Sequence, residues 1–165
     1  MDKGYFENIF LKILNTEKIS VEEAIKISHT ENKEFLYEIA NKLRLHYFGK
    51  KIDLCSIVNA KSGKCEEDCK WCSQSVFHNC DIEEYDLINP QTAIDIAYNN
   101  FQKGVHRFSL VTSGKYYPEK EFDKIINIYN KIKSKCNISL CASLGLINEN
   151  QLIKLKEIGI NFYHC

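Results

Sequence analysis

Long apolar runs are missing from this sequence. No stretch approaches the ~18 consecutive apolar residues of a membrane-spanning helix, so no membrane span is expected. Net charge is missing too: 22 Lys and Arg stand against 22 Asp and Glu. A balanced chain gives no electrostatic case for nucleic acid or for an anionic membrane surface. Two prolines and seven glycines leave no room for a Pro/Gly/Ser linker, and there is no repeat and no low-complexity tract. Arginine is scarce, at Arg44 and Arg107 alone. With frequent Ile and Asn this reads as codon bias and carries no functional weight. A cleavage site of small residues is lacking at the start, MDKGYFENIFLKILNTEK, where acids interrupt the apolar positions. That segment is expected to be part of the fold and not a signal peptide.

What is present is the composition of a soluble globular domain, 44% apolar and 27% charged over 165 residues. Enough apolar surface exists to offset the entropy of ordering, which excludes disorder. Eight cysteines then need a compartment. Without a signal peptide a cytoplasmic location is expected, and metal binding or chemistry is a better reading than a disulfide framework.

The first fifty residues read as helices. Tyr5, Ile9, Ile13 and Leu14 form one apolar stripe, and Phe35, Leu36, Ile39, Ala40 and Leu43 form another. Ser20 with Glu23 is a capping-box signature opening a helix over Val21 to Ser28. The pattern then changes to β and α in alternation. Strands are expected over Ile52–Val58, His106–Thr112, Asn137–Leu144 and Ile160–His164. Helices are expected from Pro90 to about Lys103, Pro118 to about Ser134, and Asn148 to about Ile158. This predicts an α/β fold: a helical cap over residues 1–50, then the first four βα units of a parallel sheet over 51–165. The strands look apolar on both sides, as for a sheet covered on both faces or closed as a barrel. In either case chemistry belongs at the carboxyl ends of the strands. An eight-unit barrel needs roughly 250 residues, so the choice is between a small open sheet and the front half of something larger.

The informative stretch is Lys64-Cys65-Glu66-Glu67-Asp68-Cys69-Lys70-Trp71-Cys72. Its thiols stand at C-x3-C-x2-C directly after the first expected strand. Three thiolates on one loop can hold three irons of a cubane cluster and leave the fourth open. Structural zinc wants four ligands; here the fourth would be Cys55, His78 or Cys80. Disulfide pairing is the third reading. The carboxylates of Glu66, Glu67 and Asp68 are poor ligands beside sulfur and read as surface. Lys61, Lys64 and Lys70 balance a cluster's charge or simply solvate a loop. Cys55 reads as a small buried strand residue, and Cys80 and Cys136 as thiols without a special role. His78, His106 and His164 lack a partner at metal spacing and read as surface or packing residues.

C-x3-C-x-aromatic-C after a first barrel strand resembles the signature of radical S-adenosylmethionine enzymes. The flanking stretches Asn59-Ala60-Lys61-Ser62-Gly63, Cys72-Ser73-Gln74-Ser75, Arg107 to Gly114 (RFSLVTSG) and Cys141 to Gly145 (CASLG) resemble the biotin synthases within them. The resemblance runs from about Tyr5 to Cys165 and spans about the first half of such an enzyme. It implies a TIM-type (β/α) barrel, incomplete at the carboxyl end. It implies that Cys65, Cys69 and Cys72 ligate a [4Fe–4S] cluster whose open iron takes S-adenosyl-L-methionine. Reductive cleavage of that cofactor would give a 5′-deoxyadenosyl radical, and sulfur would be inserted into dethiobiotin. Trp71 matches the aromatic position near the adenine; plain packing is the alternative. Thr112, Ser113 and Gly114 match the strand end that holds the methionyl amine; a simple turn is the alternative.

The same resemblance implies an auxiliary iron–sulfur cluster, [2Fe–2S] or a variant, as sulfur source. Cys141 matches one of its ligands, though a lone strand Cys is often a core residue. Ser109 stands where many biotin synthases carry another ligand cysteine, and RFSLVTSG resembles a subgroup with Ser there. The remaining ligands, an arginine among them, would come from a second half of the barrel. The terminal Cys165 stands where His is usual and has no role assigned. Flavodoxin or ferredoxin is the implied electron donor, with a homodimer or a complementing carboxyl-terminal half as partner. A hydrogenase-maturase-like relative and a non-catalytic zinc domain are the competing readings.

Overall fold

The computed structural model describes residues 3–165. They form two compact units, Met1–Ile52 and Asp53–Cys165.

The first unit is three helices: α1 (Lys3–Leu14), α2 (Val21–Ser28) and α3 (Lys33–Phe48). The expected capping box is there: Glu23 N–H donates to Ser20 Oγ, and Ser20 N–H donates to the Glu23 carboxylate at 2.6 Å. Asn32 caps α3 by accepting from Phe35 N–H. α1 packs on α3. The buried stripe of α1 differs from expectation: Phe6 and Ile9 are the buried positions, and Tyr5, Ile13 and Leu14 are only partly covered. Phe6 wins because its ring meets Phe35 edge-on at 5.7 Å, a contact that helical periodicity alone does not reveal. On α3, Ile39 is buried and Ala40 is exposed.

The second unit alternates as expected. Its elements are β1 (Cys55–Lys61), α4 (Pro90–Gln102), β2 (Arg107–Thr112), α5 (Glu119–Lys135), β3 (Ser139–Ser143), α6 (Glu149–Glu157) and β4 (Phe162–Tyr163). The strands are parallel and run β1-β2-β3-β4 across the sheet. β1 starts three residues later than the sequence suggests and runs to Lys61. Its pairing decides this: Cys55 is opposite Arg107, and Asn59 and Lys61 are opposite Val111 and Thr112 across a bulge. Polar residues with poor strand propensity are thus held extended by the β2 ladder. α4 begins as expected, with Pro90 in its first turn and Asn89 capping Gln91 N–H at 2.8 Å.

One face of the sheet presents Val58, Ala60, Phe108, Leu110, Leu140 and Ala142 to α4, α5 and α6, and all six are buried. Phe122, Ile125, Ile128, Tyr129 and Ile132 of α5 complete this core. Each such side chain contributes about 1.5–3 kcal/mol by leaving water. The expectation of apolar strands on both faces is overturned. The opposite, open face carries Cys55, Ile57, Arg107, Ser109, Ser139, Cys141 and Phe162, a mixture of thiols, hydroxyls, one cation and exposed apolar groups. Sequential strand order with α4, α5 and α6 in one layer is the wall of a (β/α) barrel; a doubly wound sheet has helices on both faces.

Tyr hydroxyls tie the strands. Tyr129 Oη donates to Cys141 C=O at 2.7 Å and accepts from Leu110 N–H, bridging β3 and β2. Tyr163 Oη donates to Gly145 C=O at 2.5 Å and accepts from Leu144 N–H. Gly145 has φ +73°, and a Cβ there would meet the Lys115 carbonyl oxygen at 2.4 Å, so no larger residue fits. Among the described residues no helix is long and apolar enough to cross a membrane.

Candidate functional site

The carboxyl ends of β1, β2 and β3 meet in one rim. The loop between β1 and α4 is closed at its base by a two-residue antiparallel bridge. Ser62 N–H donates to Tyr85 C=O at 3.0 Å, and Tyr85 N–H donates back at 3.2 Å. Tyr85 Oη also donates to Asn59 C=O at 2.7 Å. Gln74 works from inside the loop: its Oε1 accepts from Gly63 N–H at 2.6 Å and from Ser62 Oγ at 3.1 Å. Ser113, at the end of β2, donates its N–H to Lys61 C=O and its hydroxyl to Gly63 C=O at 2.7 Å. Lys115 Nζ lies 3.1 Å from the Glu67 carboxylate, and Lys115 C=O accepts from Leu146 N–H at 2.7 Å. The Glu67 carboxylate raises the pKa of Lys115 above its ordinary value. The three loops are therefore linked through backbone and side chain.

The motif cysteines all sit on this first loop. Cys65 is buried and doubly anchored: its N–H donates to Gln74 C=O, and Val76 N–H donates to its own carbonyl. Cys69 is exposed, and Cys72 is partly covered. Cys72 N–H donates to Cys69 C=O at 2.9 Å, a turn that makes these two neighbours. His78 braces the same segment, with Nε2 3.1 Å from Cys69 C=O and 3.4 Å from the Asp68 carboxylate. Trp71 is 92% exposed. Thr112 closes β2 nearly buried, and its Oγ1 has no hydrogen-bond partner. Gly114 follows with φ +105°. All eight cysteines are free thiols, and among the described residues no three His, Cys, Asp or Glu side chains converge to metal-holding distance.

A second group lies on the open face. The ladder places Ile57, Ser109, Cys141 and Phe162 in one row, and Cys55, Arg107 and Ser139 in the next. Ser109 and Cys141 are thus direct neighbours across β2 and β3. Both are buried, and Ser109 Oγ reaches only its neighbour's carbonyl, Leu110 C=O. Arg107 stacks 5.2 Å over the Phe162 ring and pairs with Asp53 at 2.7 Å. Burial pushes the Cys141 thiol's pKa up, the adjacent Cys55 thiol adds to that, and Arg107 opposes it. Cys55 corrects the sequence reading. It is exposed on the open face and is not a core residue, because odd positions of β1 face away from the helices.

The sequence also left Gln74, Ser113 Oγ, Tyr85 and Tyr129 without a role as side chains. Only parity could have flagged Cys55, since it shares the alternation of Ile57 and Asn59.

No family model matches the chain. It is 50% identical over 153 residues to a biotin synthase of Clostridium botulinum (strain Alaska E43). It is 46% identical over 156 residues to that of Clostridium tetani, and 46% over 158 residues to that of Clostridioides difficile. The chain matches the amino-terminal half of biotin synthases. Each of these matches covers 93% of this chain and 48–49% of the biotin synthase, so the chain spans about half the length of its curated relatives. Two solved structures share the fold. The FeFe-hydrogenase maturase HydG of Carboxydothermus hydrogenoformans superposes with a TM-score of 0.71 at 22% identity, over 98% of this chain and 38% of that one. A second HydG structure gives 0.73 at 17%, over 99% and 37%. At that identity the likeness speaks for the fold alone. It supports the partial barrel over a free-standing open sheet.

Proposed function

We propose that this chain carries the cofactor-binding half of a radical S-adenosylmethionine enzyme of the biotin synthase type, whose reaction inserts sulfur into dethiobiotin to form biotin. One observation carries the reading: three thiols at C-x3-C-x2-C on the loop leaving the carboxyl end of β1, in a chain half identical to a biotin synthase. Soft thiolates suit an iron–sulfur cluster, and the exposed and half-covered Cys69 and Cys72 leave room for one. Cys65, Cys69 and Cys72 would hold a [4Fe–4S] cluster, which would bind S-adenosyl-L-methionine. When bound, the cluster supplies the electron that cleaves the cofactor's sulfonium bond.

The chain's own residues position that chemistry. The anchors on Cys65 tie the first ligand to Gln74 and Val76 across the loop, and the Cys69–Cys72 turn sets the spacing of the others. Trp71, exposed on this loop, would lie against the adenine. The N–H and hydroxyl of Ser113 are spent on the loop, so its carbonyl and that of Gly114 remain as acceptors for the methionyl ammonium. Thr112 Oγ1 is a further acceptor at the same strand end. Ser109 and Cys141, side by side on the open face, mark the place of an auxiliary iron–sulfur cluster, [2Fe–2S] or a variant. A flavodoxin or ferredoxin in the cytoplasm donates the electron. The partner is a second copy in a homodimer, or a carboxyl-terminal half that completes the barrel wall. Residues 1–50 serve as the cap and 51–165 as the barrel part.

The test is electron paramagnetic resonance on anaerobically reconstituted, dithionite-reduced protein, with and without S-adenosyl-L-methionine. The expected result is a [4Fe–4S] signal that changes shape on addition of the cofactor. A silent sample that contains zinc overturns the assignment of the three thiols.

A further inference from the structure

We propose that Cys55 and Cys141 form a two-thiolate metal site on the open face of the sheet, with Cys55 supplying the ligand that the serine at 109 does not. The inference rests on the reading of an auxiliary cluster above and names a ligand for it that the motif does not contain.

The geometry carries it. Alternation puts Cys55, Ser109 and Cys141 on the same face of three consecutive strands. A serine hydroxyl is a hard and weakly acidic donor beside sulfur ligands, so replacing Cys by Ser at 109 leaves that position poor for iron. The nearest replacement thiol is on β1. Cys55 is exposed, which leaves it free to turn toward a metal, and it is a close enough neighbour to act on Cys141. Its hydrogen bond to its own neighbour, Ser56 C=O at 3.9 Å, is long and weak. The other two thiols of this unit outside the motif and the terminus fare differently. Cys136 is buried at the end of α5, donating to Ile132 C=O, and Cys80 lies on the cysteine loop.

The surroundings suit an anionic group. Arg107 stands in the same row as Cys55 and one row from Cys141, and its Nε is buried with no hydrogen-bond partner. Each thiol that ligates releases its proton to solvent, and the negative charge gained is balanced by the metal cation, with Arg107 beside the pair. No electron is transferred in this step. Asp53 pairs with Arg107 at its far nitrogen, which holds the cation at the edge of the row.

The experiment separates this site from the motif. In the full chain, Cys65→Ala, Cys69→Ala and Cys72→Ala are combined, and the variant is titrated anaerobically with Co(II). Thiolate-to-cobalt charge-transfer absorption is the readout. The expected result is a band from the second site that is lost on adding either Cys55→Ala or Cys141→Ala and kept on adding Cys80→Ala or Cys136→Ala. Far-UV circular dichroism checks the fold, and Cys55→Ala alters only an exposed edge-strand position. No band, or a band indifferent to Cys55, overturns the proposal. So does a Cys55–Cys141 disulfide found by mass spectrometry in protein purified without oxidant. Failure of the broader reading looks different: unsubstituted protein then shows no response to S-adenosyl-L-methionine, whatever cobalt reports.

Discussion

Tyr129 ties two strands of the sheet with one hydroxyl. Its hydroxyl is buried between two strands, donating to one carbonyl and accepting from one amide. Burial raises its pKa far above the ordinary value, and the bond from Leu110 N–H only partly offsets this. Tyr129→Phe keeps the ring in the core but removes the hydroxyl's bonds to both backbone groups. The expected cost is about 1–3 kcal/mol, read as a lower urea midpoint with an unchanged slope. Nothing in the sequence marks this tyrosine as different from a helical core aromatic. Its spacing in α5 places it in the core, and only the strand register gives its hydroxyl two partners. Cys65, Cys69 and Cys72 lie at the other extreme. Their spacing and their place after a strand were readable at once, because covalent proximity on one loop needs no tertiary knowledge.

Among the elements, helices were more legible than strands. Caps such as Ser20, Asn32 and Asn148 act within one turn, and the sequence contains the whole interaction. The ends of β1 are set by β2, some fifty residues away, so its start and stop could not be read locally. The same holds for the open face: alternation is visible in each strand, but which parity meets the helices is decided by the crossovers. The loops around α5 and β4 carry a pH signature. Burial pushes both Tyr117 and Tyr163 from 10.0 up to about 12. Both are protonated in the folded chain at a pH where the unfolded chain has begun to lose those protons. The stabilisation they contribute is therefore complete below pH 10.0 and declines between there and about 12. Urea midpoints measured across that window are expected to fall, and less steeply in Tyr163→Phe, which has one such proton fewer.

At the scale of the whole molecule the two units are unequal. The buried residues of the first are Phe6, Ile9, Thr30 and Ile39, whereas the second encloses a continuous core from Val58 to Ile160. Few buried apolar contacts mean a small free energy of local opening. Amide hydrogen exchange is expected to be fast in α2 and α3 and slowest in β2, β3 and α5. Equal protection in both units would contradict that ranking.

The clasp between Ser62 and Tyr85 has a mechanical consequence. It closes residues 63–84 into a ring at the end of β1, and the bonds from Ser113 to Gly63 and from Lys115 to Glu67 tie that ring to the neighbouring rim. Loop-closure entropy changes by only about 0.6 kcal/mol for each doubling of length. The ring can therefore refold around a bound group, or differ in length among relatives, without pulling on the ladder below it.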